Sequence, residues 1–425
     1  MSNGGRFRFR SMALLVLVFA ATGRAADDVV TSRSANWPEY RGPHGNGHCP
    51  NADLPIEIDP KLHVRWQTAI HDRGWSSPVV WDDQIWLTTA TADGKKQFAV
   101  CVDFESGDIV HDLLIFENEH PAFCHAQNSY ATPTPVVEQG RVYLHFGSYG
   151  TVCLDSATGK VLWKRTDLEC DHFRGPASSP ILYDGLLIVA FDGADVQYVA
   201  ALNKHTGQTK WRTDRDIEYD TDDGDFKKAY GTASVINVDG QPQLIAPSAV
   251  ATVAYEPASE KEIWRVRHQG MNASARPVFD GQRVFLPNGM GLLAAVRPTG
   301  RGDVTDSHVE WQIRQRVPRK SSQLIVDGLL YMISDNGVIS CVDPESGRPV
   351  WQERVGGDYA ASPIYAGGRI YFFGRDGEIP VIEPGRQFKL LAMNQLTEGY
   401  MASPAVVGNN LILRGTHHLY RISGE

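Results

Sequence analysis

Asp220, Asp222, Asp223 and Asp225 place four carboxylates within six positions. Hard oxygen ligands this close could hold calcium. The spacing lacks the distal Glu of an EF-hand loop, so a solvated acidic loop is the alternative. His120, Cys124 and His125 share a second segment, and His44, His48 and Cys49 share a third. Neither matches a standard zinc spacing. His417 and His418 are adjacent, and alternate residues of a strand face opposite ways, so they do not converge on one ion. The chain contains no nucleophile elbow and no phosphate-cradling glycine loop. These residue types therefore select no catalytic or metal centre.

The elements that would carry them are repeated. One unit runs from Thr134 to Trp163: Thr-Pro-Val-Val, a turn, Arg-Val-Tyr-Leu, then Thr-Val-Cys-Leu-Asp, Ser-Ala-Thr-Gly-Lys and Val-Leu-Trp. Short apolar runs bounded by Gly or Asp read as antiparallel strands joined by tight turns. The opening run recurs around Pro78, Pro135, Pro180, Val235, Pro277, Gln323, Pro363 and Pro404, about 40–57 residues apart. That interval is the length of a four-stranded propeller blade. The eighth unit stops after Leu419-Tyr-Arg-Ile422, while Val64-Arg-Trp66 precedes the first unit without an opening strand. The expectation is an all-β, eight-bladed β-propeller of four-stranded antiparallel blades, closed by the N-terminal strand, which removes exposed edges. The unit-ending Trp residues would pack between blades as core.

Cys153-Leu-Asp-Ser-Ala-Thr-Gly-Lys-Val-Leu-Trp163 resembles the tryptophan-docking motif of the quinoprotein, or pyrroloquinoline-quinone (PQQ)-like, β-propeller family, and Ala201 to Trp211 resembles it with Asn203 in place of Asp. The resemblance covers about residues 62–425. The lead Trp37-Pro-Glu-Tyr-Arg-Gly-Pro-His-Gly-Asn-Gly47 is similar to the start of secreted PQQ-like propellers of bacteria such as planctomycetes. Two kinds of member follow from the resemblance. One is the PQQ-dependent alcohol and sugar dehydrogenases, with quinone and calcium over the axis. The other is non-catalytic scaffolds such as BamB of outer-membrane protein assembly. Fold does not choose between them. Methanol-dehydrogenase-like members carry adjacent cysteines over the quinone, and no two Cys are adjacent here. None of the family's calcium ligands or its catalytic Asp maps onto this chain. No cofactor, catalytic residue or metal ligand is assigned, and PQQ with calcium stays as the alternative.

Residues 1–25 read as an export signal: Arg6, Arg8 and Arg10, an apolar run from Met12 to Ala21, then Gly23 and Ala25 before a cleavage point. The run is too short to span a bilayer as a helix. No later stretch is long enough either. Loss of four Arg takes the net charge from −9 to −13, an acidic balance that argues against nucleic acid. The expected organisation is a signal over 1–25, a lead over 26–61 and the propeller over 62–425, in the periplasm or outside the cell.

Loops entering the first strands would ring one channel mouth. They carry Trp75, Tyr130, Arg174, Tyr230, Asn272, Arg319, Tyr359 and Tyr400, a candidate rim for binding; the alternative is that these side chains pack against neighbouring loops. Arg314, Arg316, Arg319 and Lys320 form a basic spot. Cys101, Cys153 and Cys341 hold equivalent repeat positions and should pack as small hydrophobes. Cys124 and Cys170 lie in consecutive interblade loops and are candidates for a disulfide. The functional expectation is a non-catalytic exported binding or scaffold module for protein or small ligand. The alternatives are a PQQ-dependent dehydrogenase and a BamB-like assembly factor.

Overall fold

The computed structural model describes residues 36–424 together with Met1 and Gly4. The expected export signal over 1–25 lies outside the described residues.

Eight antiparallel sheets follow one another along the chain. In the second, strands Val136–Glu138, Arg141–His145, Thr151–Asp155 and Val161–Arg165 pair in sequence, with Val142 opposite Leu154. The two middle strands are buried on both faces, because each blade is sandwiched between its neighbours. The outermost strand instead alternates, with Trp163 inward and Lys164 outward. First strands of adjacent blades touch: Val79–Trp81 meets both Val136–Glu138 and Ala405–Val407. They therefore line the central axis.

The ring closes as expected. Val64–Ala69 pairs antiparallel with His418–Ser423, placing Trp66 opposite Arg421, and completes the eighth blade. Two blades gain a short parallel strand that the repeat does not foretell. Gly302–Asp303 adds to the outer edge of the fourth blade beside Trp264. His48–Cys49 adds to the inner edge of the seventh beside Tyr365.

The tryptophans join blade to blade. Trp66, Trp163, Trp211, Trp311 and Trp351 each donate an indole N–H, at 2.9–3.1 Å, to a turn carbonyl of the next blade. The indole of Trp163 lies flat over Gly207 of the third blade's turn. Gly207 has φ +72°, and a Cβ there would fall 2.7 Å from the ring. Glycine at this turn thus serves the backbone and the stacking together. Cys101, Cys153 and Cys341 are fully buried, as small apolar residues at that position should be.

The lead segment threads the hub. Trp37 bridges Val80 of the first blade, and the carbonyl of Pro38 accepts from Val137 N–H of the second. On the far side, Arg276 of the fifth blade donates to the carbonyl of Tyr40 at 2.6 Å and pairs with Glu39 at 2.8 Å. Arg41 donates to the carbonyl of Gln323 in the sixth at 2.8 Å. The channel is thereby stoppered at one end.

Candidate functional site

Above the stopper lies a cup of about 440 Å³. Its wall follows from strand geometry. In an extended chain, alternate residues share a face, so the residues three and one before each first-strand anchor both look into the axis. The upper ring includes Trp75, Thr132, Tyr230, Lys320, Ala360 and Met401. The lower ring includes Ser77, Thr134, Ser179, Thr232 and Ser403. Thr232 corrects the fourth register: Ala233, not Val235, occupies the place of the repeat's proline, because strand Ser234–Val238 starts one residue after it.

The lower ring is a belt of hydroxyls. Ser77 N–H donates to Thr134 Oγ1, Thr134 N–H to Ser179 Oγ, and Ser179 N–H to Thr232 Oγ1, at 2.9–3.1 Å. Arg276 N–H donates to Ser322 Oγ, Ser322 N–H to Ser362 Oγ, Ser362 N–H to Ser403 Oγ, and Ser403 N–H back to Ser77 Oγ, over the same range. Between the fourth and fifth blades Arg276 replaces the small hydroxyl, and its Nε donates to Ser234 Oγ instead. The O–H protons of the five cup-lining hydroxyls have no acceptor among the described residues. The belt therefore presents donors to the axis. Below it, Tyr40 forms the floor, its hydroxyl 3.0 Å from Ser362 Oγ.

The rim is cationic. Three cations, Arg174, Arg319 and Lys320, line the cup against one carboxylate, Asp225. Arg174 Nε donates to Asp225 at 2.7 Å, its second nitrogen does the same, and the buried Lys228 ammonium joins them. Held by the Arg174 hydrogen bonds and by Lys228, the Asp225 carboxyl drops to about 2. Burial lowers the Lys228 ammonium, and Lys228 also donates to Asn272 Oδ1. Arg319 is exposed, and its guanidinium has no partner among the described residues. Lys320 reaches Gln127 at 3.3 Å, and burial, with Arg375 behind it, lowers its ammonium. The indole N–H of Trp75 and the Tyr230 hydroxyl are buried without a partner.

Of the residues expected at the rim, Trp75, Arg174, Tyr230, Asn272 and Arg319 converge here. Tyr130 does not line the cup; it donates to the carbonyl of Ala122 and borders a smaller neighbouring pocket. Tyr359 and Tyr400 are fully buried. They sit one residue off the axis-facing register, so Ala360 and Met401 take the wall and the two rings turn into the blades. The hydroxyl belt went unassigned in the sequence, although its signal was present: a Ser or Thr directly before most anchor prolines.

The Cys124–Cys170 bond is not formed; both are free thiols. Cys170 is drawn into the blade interior, its sulphur 3.5 Å from His172 Nδ1. Cys124 faces Gly175 on the loop instead. The acidic loop also disperses. Asp222 pairs with Lys227 and Asp223 accepts from Asp225 N–H, while Asp225 is engaged by Arg174 and Lys228. No grouping of three or more His, Cys, Asp or Glu suited to a metal occurs among the described residues. His48 is inside the hub, where burial and then Arg41 push it down to about 4. His418 pairs with Glu398, and His417 stays exposed.

A calcium-supported quinone needs several oxygen ligands around the ion. Among the described residues the one carboxylate lining the cup is Asp225, and it is engaged by two cations rather than free to serve as such a ligand. No helix among the described residues is long and apolar enough to cross a membrane.

The structure superposes on a europium-containing methanol dehydrogenase with a TM-score of 0.69 at 12% identity, covering 90% of each chain. It superposes on the quinohemoprotein alcohol dehydrogenase of Comamonas testosteroni with 0.66 at 13%, covering 92% of this chain and 81% of that one. BamB of Moraxella catarrhalis gives 0.61 at 13%, covering 85% and 100%. At such identities the likeness establishes the fold alone. No curated protein matches the sequence. A family model described as outer membrane protein assembly factor BamB matches residues 63–214, 195–325 and 319–416. With that match over most of the propeller, the chain belongs to the BamB-type family of PQQ-like β-propellers.

Proposed function

We propose that the protein is a non-catalytic binding module of the cell envelope, exported by residues 1–25, and that its axial cup receives the partner. The observation that carries this reading is the state of Asp225. General acid–base work needs a carboxyl whose proton is poised near the working pH. Asp225 is instead held ionised and doubly paired. Besides Asp225 the cup offers hydroxyl donors, two aromatic wall residues, unspent cations and the His125 imidazole, a set suited to recognition.

A photocrosslinking residue placed at Met401, on the cup wall, tests it in cells. The expected result is a discrete adduct, absent when the crosslinker replaces the outer-wall residue Leu162. Adducts of equal strength from both positions would reject the cup as the binding face. The competing reading is the dehydrogenase, favoured by the superpositions alone. Addition of PQQ and calcium to the purified protein decides between them: a bound-quinone spectrum with dye-linked alcohol oxidation would overturn the non-catalytic reading. An assembly role is a narrower form of the proposal, distinguished by whether the adduct contains a β-barrel assembly component.

A further inference from the structure

The cup is more selective than a generic recess, and its selectivity rests on the binding reading above. Its charge runs against the rest of the molecule. A chain of net charge −9 places three cations and one ion-paired carboxylate around this opening. Among the described residues the Arg319 guanidinium has no partner, although its backbone N–H donates to Asp335 at 3.0 Å, and the Lys320 ammonium makes one long contact, to Gln127. A cationic ligand is repelled here and an anion is drawn in.

Deeper in, the lower ring is polarised. Each belt hydroxyl uses a lone pair to accept a backbone N–H from the preceding blade. That contact fixes its oxygen and leaves the O–H free to donate. Ser77, Thr134, Ser179, Thr232 and Ser403 are all at least nine-tenths buried. Their protons have no acceptor among the described residues. A donor left unmatched in a buried site is costly, so a ligand rich in oxygen acceptors is preferred. Trp75 and Tyr230 add aromatic surface to the wall. A cup of about 440 Å³ is too small to hold a folded domain and has the size of a small-molecule site.

We infer that the cup binds a small carboxylate-bearing polyol of hexuronate size, its carboxylate at Arg319 and Lys320 and its oxygens over the hydroxyl belt. No bond is made or broken.

Titration calorimetry of the purified protein with D-galacturonate and with D-galactose tests it. Galacturonate is expected to bind at least tenfold more tightly than galactose at low ionic strength, with the advantage shrinking as salt is added. The double variant R319Q/K320Q should lose that tenfold advantage and keep its melting temperature, since Arg319 is exposed and neither cation is part of the blade core. Equal affinity for the two sugars, no binding of galacturonate, or an unchanged advantage in the double variant would each overturn the inference. A rim crosslink that persists while galacturonate fails to bind leaves the binding-module reading standing. Loss of the crosslink overturns that reading separately.

Discussion

The carboxylate of Glu39 and the guanidinium of Arg276 meet 2.8 Å apart at the base of the hub, tying the N-terminal lead to the fifth blade. Both side chains are nearly sealed from water. Removing one partner of a buried pair leaves an uncompensated charge, at a cost of about 3–5 kcal/mol. E39Q should therefore lower the urea midpoint substantially, and E39Q/R276Q should recover part of the loss. A midpoint within error of the parent protein would show that the lead does not seal the channel.

Between blades, Trp163 and Gly207 interlock. W163A removes the ring and leaves a cavity, with an expected loss of about 3–5 kcal/mol. G207A adds only a methyl group, yet it must fit a positive φ and a ring 2.7 Å away. We expect G207A to destabilise despite its small size, whereas alanine at Gly240, which has open space around its Cβ, should cost only the strain of its positive φ. Thermal melts of the three variants give the order.

Acid should loosen the rim through Asp225. Its folded-state pKa, about 2, lies below the unfolded value near about 3.9. A depressed carboxyl contributes stability that is fully present above the unfolded pKa and disappears as pH falls through the folded one. The stability gap between the parent protein and D225N should therefore be constant at neutral pH and shrink between about pH 4 and pH 2. Urea midpoints across that range measure it; a gap that stays constant down to pH 2 contradicts the pairing with Arg174 and Lys228.

The thiols give a further check. All six cysteines should accept an alkylating label after unfolding without reductant. In the native state Cys124, half-buried with its thiol pushed up by burial to about 11, should react slowly. Cys170 is buried deeper, with Asp195 beside it raising the thiol further, and should not react. Intact mass spectrometry reads both; four labels after unfolding would restore the disulfide.

The ring itself was legible in the sequence. Ser-Pro and Thr-Pro anchors, Thr-Gly turns and terminal Trp residues are local signals, and Val64-Arg-Trp66 lacked a partner that only the last unit provided. The wall of the cup was not legible to the same degree, because it depends on register to a single residue. The fourth unit has Gly231-Thr232-Ala233 where others have Ser-Pro, and without the proline its anchor slipped by two. Tyr359 and Tyr400 read as rim residues because aromatic side chains suit rims. Strand alternation assigned those places to Ala360 and Met401. The course of the lead left the faintest trace. Gly45, pressed against the Arg276 guanidinium, has its reason in a residue far along the chain. The separation of Cys124 from Cys170 likewise depends on tertiary burial that loop order does not encode.

Ring closure has a consequence for how the molecule is born. Arg65 and its partner Ser423 are 358 positions apart in the chain. The strand Val64–Ala69 that carries Arg65 must wait, unmatched, until nearly the entire polypeptide has been synthesised. Maturation is thus governed by its final seam, and a protein stalled just before that step would present two sticky margins at once, making late truncations more hazardous to the cell than early ones.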